Sequence, residues 1–304
     1  MSPTTESSWI SGHLYFDGDL FGDDADRILL QEMAPALEAW QEQGWLAHFF
    51  FIRYYAQGSH IRLRVRPRSD SAGQTLRTRM QDLVDGSAGF SQLQWQDYEP
   101  EVERYGGPNG LRISEQHFVA QSHTALALLK KIKRGDRAAR LGKAMLAQLV
   151  LLHAFLPHRS ESAGLAGVFG VNYLRRRAGN PEQQQSWIRE FRQGFDRQSD
   201  HLVQYVEAAW SALADGDPLT PELDTWRHGL TTLRDDLLDL SHRRELYDGR
   251  GTTDWPACVQ WLLPSYLHML NNRLGVDLQE ECYLAVLIQE TLGSEGARAQ
   301  PNQP

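Results

Sequence analysis

Between Phe49 and Arg66 the sequence FFFIRYYAQGSHIRLRVR opens with a solid apolar run and turns at Gly58-Ser59. It returns with strict alternation, Ile61, Leu63 and Val65 against Arg62, Arg64 and Arg66. Period-two patterning around a Gly-Ser turn predicts a β-hairpin whose second strand has one apolar face and one guanidinium face. Residues 9–17, WISGHLYFD, predict an earlier strand, with Gly12 placed for a bulge. A helix follows over about 24–43, where Ile28, Leu29, Met33, Leu37 and Trp40 recur at three- and four-residue spacing. Asp23 or Asp24 is placed to cap it and Gly44 to end it. Residues 68–85 supply a shorter helix and 92–101 an extended segment.

After about residue 113 the spacing is helical, with helices expected over 115–133, 138–155, 182–213, 221–246, 255–274 and 278–292. A glycine-rich connection is expected at 160–170, and turns at 216–218 and 247–253. The pattern predicts an α+β fold, with an antiparallel or mixed sheet from the N-terminal third packed against a mostly helical C-terminal two thirds. No linker composition interrupts it, so residues 1–292 are expected to form one domain, followed by a disordered tail over 293–304.

Composition narrows the function. The 304 residues carry a net charge of −8, with 41% hydrophobic and 23% charged residues, which is ordinary for a globular protein and unsuited to tracking a nucleic-acid backbone. Only Lys130, Lys131, Lys133 and Lys143 are lysines, and none lies near a motif, which argues against Schiff-base chemistry. Cys258 and Cys282 lie far apart in apolar helical settings and read as buried thiols in a reducing compartment. The start MSPTTESSW has no basic and apolar signal regions, and no apolar run approaches ~18 residues. A cytoplasmic protein without a membrane anchor is expected, and no cofactor or metal is expected either. Nucleotide-binding glycine motifs, GxSxG, HExxH and paired CxxC are all missing from the sequence.

Three arginines two apart on one strand stand about 6–7 Å from one another and repel unless an anion lies among them. Structural carboxylates would satisfy them as a salt-bridged sheet face; so would an anionic substrate. The segment YEPEVERYGG, residues 98–107, offers Glu99, Glu101 and Glu103 in alternation, followed by Arg104, and reads as an acidic strand suited to pairing with the arginines. Late in the chain, WLLPSYLHMLNNRLGV puts His268 and Asn272 one turn apart on one helix face. Alone, that histidine reads equally as a core residue with a satisfied ring.

Taken together, FFIRYYAQGSHIRLRVR, YEPEVERYGG and HMLNNRLG resemble three signature segments of the C-terminal domain of lantibiotic dehydratases, a domain also found free-standing in thiopeptide pathways. The resemblance runs from about Trp9 to Leu292. It implies elimination of glutamate from a glutamylated Ser or Thr of a ribosomally made precursor peptide, leaving dehydroalanine or dehydrobutyrine. With no room for the glutamylating domain, it further implies a separate tRNA-dependent glutamyl transferase as partner. The precursor, leader plus core, would be the substrate, with a homo- or hetero-oligomer open and neither direct nucleic-acid contact nor a membrane involved.

The resemblance carries over a catalytic set of Arg62, Arg64, Glu101, Arg104 and His268. Arg53, His60, Tyr105, Asn272 and Arg273 are the expected substrate-binding neighbours. The chemistry suits these types: α-proton removal builds an enolate-like oxyanion and the departing ester builds a carboxylate. Arginine forks meet such charges bidentately, and an imidazole moves protons near neutrality. Arginines from the early β-structure and the late imidazole are thus expected to meet in one pocket. Two alternatives accompany this reading. One is a pyridine synthase performing a formal [4+2] cycloaddition of two dehydroalanines. The other is a non-catalytic domain that binds a leader peptide.

Overall fold

The computed structural model describes residues 9–177, 179–196 and 199–293. Four strands, β1 (Ile10–Phe16), β2 (Leu46–Tyr54), β3 (His60–Pro67) and β4 (Phe90–Trp95), form an antiparallel sheet in the order β2-β3-β1-β4. Helices α1 (Asp23–Ile28), α2 (Ala34–Glu42) and α3 (Asp70–Asp85) accompany the strands. Eight more follow: α4 (Gly107–Leu129), α5 (Arg137–Phe155), α6 (Arg159–Arg177), α7 (Pro181–Asp196), α8 (Ser199–Asp215), α9 (Pro221–His242), α10 (Trp255–Arg273) and α11 (Leu278–Gly293). The α+β expectation is met: every strand lies in the first third and the remainder is helical. Among the described residues no helix is long and apolar enough to cross a membrane. Gly293 closes α11, and residues 294–304 of the expected tail lie outside the described residues.

The backbone gathers into two compact units. The first comprises residues up to Val102, Ser114–Asp136 and Asn272–Gly275. Its core is the apolar face of the sheet, where Leu14, Phe16, Phe51, Ile61, Leu63 and Val65 are buried with Ile28, Leu37, Leu76 and Met80 of the covering helices. A Cβ on Gly12 would meet the tips of the Met80 and Leu93 side chains at 2.8 Å, so these two would have to shift to admit it. The helix expected over 24–43 is present but widens into one π-helical turn at Leu29–Met33. Pro35, in the first turn of α2, has no N–H to give Gln31, and the wider turn accommodates its ring. Strand β2 is an edge, and its outward backbone groups are covered. Ser122 Oγ accepts the Phe51 N–H (3.3 Å), while the Asn272 amide accepts the Arg53 N–H and donates to its carbonyl, both at 2.8 Å.

The second unit comprises Glu103–Ile113, Arg137–Asn271 and residues from Val276 on. Helices α6 and α11 pack closely, and here the sequence expectation is corrected. Residues 160–170 are helix, not a glycine-rich connection. A Cβ on Gly167 would meet the Gln289 side chain at 2.6 Å and one on Gly170 would meet Ala285 at 3.0 Å, so these glycines let two helices approach. Residues 98–107 are not a strand either. Beyond Trp95 the Val102 N–H bonds the Pro100 carbonyl, a 3-10 turn spans Glu103–Tyr105, and Gly106 and Gly107 take φ +80 and +92. Pro108 then sits in the first turn of α4, where its missing N–H costs nothing. The helix expected over 182–213 is two, α7 and α8. Cys258 and Cys282 are buried free thiols, pushed up by burial to about 11 and about 12.

Candidate functional site

In the first unit the arginines sit on the sheet face opposite the core. Register places Arg62 between His13 and Ile52, and Arg64 between Ser11 and Phe50. Each guanidinium finds different company. Arg66 bonds Glu115 at 3.0 Å and lies 4.3 Å from the Trp9 ring centroid, while the Trp9 indole donates to the same carboxylate at 2.8 Å. Arg64 is buried, between the rings of Phe50 and Tyr98, each 5.6 Å away. Arg62 stacks 3.4 Å over Tyr54 and donates to His60 Nε2 at 3.4 Å. Among the described residues no carboxylate lies within ion-pair distance of Arg62.

His60 is buried against His13, Tyr15 and Tyr54, with ring centroids 4.9, 4.5 and 5.5 Å away. Its Nδ1–H donates to the Gly58 carbonyl (3.0 Å), leaving Nε2 to accept from Arg62. Burial and the neighbouring arginines hold both histidines neutral: His13 falls to about 4, and His60 is lowered against a backbone hydrogen bond that pulls the other way. The face is therefore cationic through its arginines alone. His13 was not singled out from sequence, although its alternation with Leu14 was a usable signal.

Arg53, Asn272 and Arg273, three of the expected substrate-binding residues, make internal framework bonds. Arg53 lies on the core face, opposite Ile61, and donates to the Leu20 and Arg273 carbonyls and to Asp26 (2.7 Å). Its exposure is 1%. Asn272 is the β2 edge clamp. Arg273, also 1% exposed, donates to Ser122 Oγ (3.0 Å) and Gln121 Oε1 (2.6 Å). These three side chains are committed to internal partners. Glu101 lies in the exposed stretch between β4 and the 3-10 turn.

The second unit groups the other candidates. Arg104 Nε donates to Ser265 Oγ at 2.9 Å, and Ser265 lies three residues, about one helical turn, before His268 on α10. Tyr105 is buried, its ring stacked on Tyr266 with centroids 6.1 Å apart, so its ring packs in this unit's core. The two φ-positive glycines that follow fix this turn. A Cβ on Gly106 would meet Leu246 at 2.5 Å and one on Gly107 would meet the Tyr247 ring at 2.5 Å.

Sequence reasoning missed the partner of His268. Glu281, on α11 and 2% exposed, brings its two carboxylate oxygens to 2.9 and 3.0 Å from His268 Nδ1. Burial raises the Glu281 carboxyl above its usual range, and His268 and the Asn271 amide draw it back. Gln148 Nε2 holds the Asn271 oxygen at 3.0 Å. The carboxylate accepts Nδ1–H, which sets the tautomer of a side chain that is 25% exposed. An acid inside the apolar run of α11 was the available signal. Among the described residues no group of three His, Cys, Asp or Glu side chains is suited to a metal ion.

Comparison with known proteins bears on this arrangement. The family model described as lantibiotic biosynthesis dehydratase C-term matches residues 9–292. The fold is similar to the crystal structure of TsrL, with TM-score 0.70, 19% identity and 96% of each chain covered. It is similar to the pyridine synthase TbtD from thiomuracin biosynthesis, with TM-score 0.67, 17% identity and coverage of 96% and 99%. It is also similar to the tRNA-dependent lantibiotic dehydratase MibB from Microbispora sp. 107891, with TM-score 0.66 and 19% identity. That match takes in 99% of this chain and 29% of MibB. No protein of curated function matches the sequence.

Proposed function

The chain belongs to the lantibiotic biosynthesis dehydratase C-terminal family, and on that premise we propose that it eliminates glutamate from glutamylated Ser or Thr of a ribosomally made precursor peptide. A separate glutamyl transferase supplies the ester. His268 Nε2 removes the α-proton, the Cβ–O bond breaks, and the ester leaves as the carboxylate of glutamate, giving dehydroalanine or dehydrobutyrine. Glu281 stabilises the imidazolium formed. Arg104 stabilises the developing oxyanion, and Arg62 and Arg64 hold anionic groups of the glutamylated substrate. Glu101 orients the substrate ammonium.

The observation that carries this reading is the His268–Glu281 pair, an imidazole held by a buried carboxylate one helical turn from the serine that Arg104 bonds. Mass spectrometry of a glutamylated precursor incubated with the protein tests it: loss of the adduct with formation of the dehydro residue is expected, and a persistent adduct refutes it. A second reading, the pyridine synthase, is favoured by the near-complete mutual coverage with TbtD. Loss of the leader together with a new aromatic absorbance, from a peptide already containing dehydroalanines, would decide for it.

A further inference from the structure

The second unit contains a cavity of about 350 Å³ that the elimination chemistry does not use. Leu156, Leu165 and Val168 supply much of its apolar wall, with Pro256, Gln260 and Pro264 of α10 alongside. Gln260, Pro264 and His268 follow one another at four-residue spacing, so the cavity wall continues directly into the helix face that carries the histidine. With a helical rise of about 1.5 Å per residue, Pro264 and Gln260 of the α10 wall lie about 6–12 Å along the axis from His268. An extended peptide advances about 3.3 Å per residue, so that interval is about two to four residues of substrate.

We infer that this cavity is a subsite for a large apolar side chain of the precursor peptide, two to four residues from the reacting Ser or Thr. The inference rests on His268 acting on a peptide, as proposed above. The volume and apolar wall fit an aromatic or branched aliphatic side chain, and Glu161 in the lining disfavours an acidic one. Val168, 60% exposed on the wall, is an apolar surface that such a side chain would cover. Gly164 also lines the cavity, and a Cβ there meets nothing within 4 Å, so a side chain at this position grows into open space.

The test uses fluorescein-labelled, unglutamylated Ser peptides in which a single Phe is scanned across four positions on each side of the Ser, with Gly elsewhere. Anisotropy reads binding, and the glutamylated versions separately read turnover. One Phe position two to four residues away should bind at least about tenfold more tightly than the all-Gly peptide. Gly164→Phe should collapse that ratio to within about twofold. Val168→Gln, at an exposed helical position, should lower it if the first variant folds poorly. A preference that is absent in the wild type, or unchanged in the folded variants, overturns the inference. Conversion of a dimer to a monomer by Gly164→Phe, with the peptide preference intact, also overturns it and assigns the cavity to a second copy. Preference without turnover keeps the subsite and defeats elimination alone.

Discussion

Replacing Glu281 by Gln removes a charge from His268 while conserving shape. The carboxylate lies 2.9 and 3.0 Å from Nδ1, at a site 2% exposed. When His268 accepts the α-proton, its imidazolium is stabilised by that charge. Two unit charges about 4 Å apart attract by ~4 kcal/mol at an effective dielectric constant of ~20, and by ~1 kcal/mol in bulk water. Glu281 is buried and His268 is 25% exposed, so the pair falls between these limits at about 2–3 kcal/mol, or about 30- to 150-fold in rate. Single-turnover kinetics on a glutamylated peptide should show kcat reduced by that factor, with KM within about twofold. Glu281→Asp should recover part of the loss. Stability moves differently. Burial raises the Glu281 carboxyl, so the folded state binds its proton more tightly than the unfolded chain, and stability falls as pH rises from the ordinary carboxylate value through the raised one. Gln removes that penalty, and the thermal midpoint at neutral pH should not drop. A folded variant whose kcat stays within threefold of wild type refutes the role given to Glu281.

Arg62→Gln should leave the chemical-denaturation midpoint nearly unchanged, because Arg62 has no carboxylate partner among the described residues, yet should lower elimination by about 100-fold. Arg53→Leu should do the reverse, costing about 3–5 kcal/mol by stranding Asp26 and two carbonyl acceptors, as read by urea unfolding. Asn272→Ala strands the outward N–H and carbonyl of Arg53 on the β2 edge, and a loss of about 2–4 kcal/mol in the same measurement is expected. His117 is lowered to about 3, by burial first and then by Arg273, so the unfolded chain takes up its proton while the folded one does not. Stability should therefore fall, from about pH 6.5 toward about pH 3, with a slope of up to ~1.4 kcal/mol per pH unit from this group. His117→Gln should flatten that limb in acid titrations, and an unchanged slope would count against the assignment.

The hairpin was legible because alternation fixes both strand and face: Ile61, Leu63 and Val65 point to the core, and Arg62, Arg64 and Arg66 away from it. The same parity already put Arg53 with Phe49 and Phe51 on the core side, although its charge drew it toward the site. The alternating acids of residues 98–107 imitated a strand, but Pro100 lacks a ladder donor and two left-handed glycines end the extended run. The glycines of α6 looked like a loop because the reason for them, Ala285 and Gln289 of α11, stands more than a hundred residues downstream. Glu281 escaped for a related reason. Its role depends on which face of α11 meets His268, and periodicity within one helix does not carry that information. Of the three segments that carry the family resemblance, two place their charges at strand or helix registers, while the third, 98–107, runs through an irregular stretch and a 3-10 turn.

Elimination of a glutamyl ester asks for two things that conflict. A base must be neutral to accept a proton, while the anions that form need fixed positive charge. Under the proposed function, different residue types meet that conflict. On the sheet face the cations are arginines, which stay charged whatever surrounds them, and His13 and His60 beside them are held neutral by burial first and then by that charge. A lysine in place of Arg62 would lose protons more readily in such company and would lack the planar fork that stacks on Tyr54 and reaches His60 at once. His268, the histidine proposed to move the proton, has instead a buried carboxylate at its Nδ1. That arrangement would support charge on the ring during proton transfer, whereas His13 and His60 are lowered by burial first and then by nearby guanidiniums. These surroundings are the physical ground for proposing His268, rather than either histidine of the hairpin face, as the proton-moving residue.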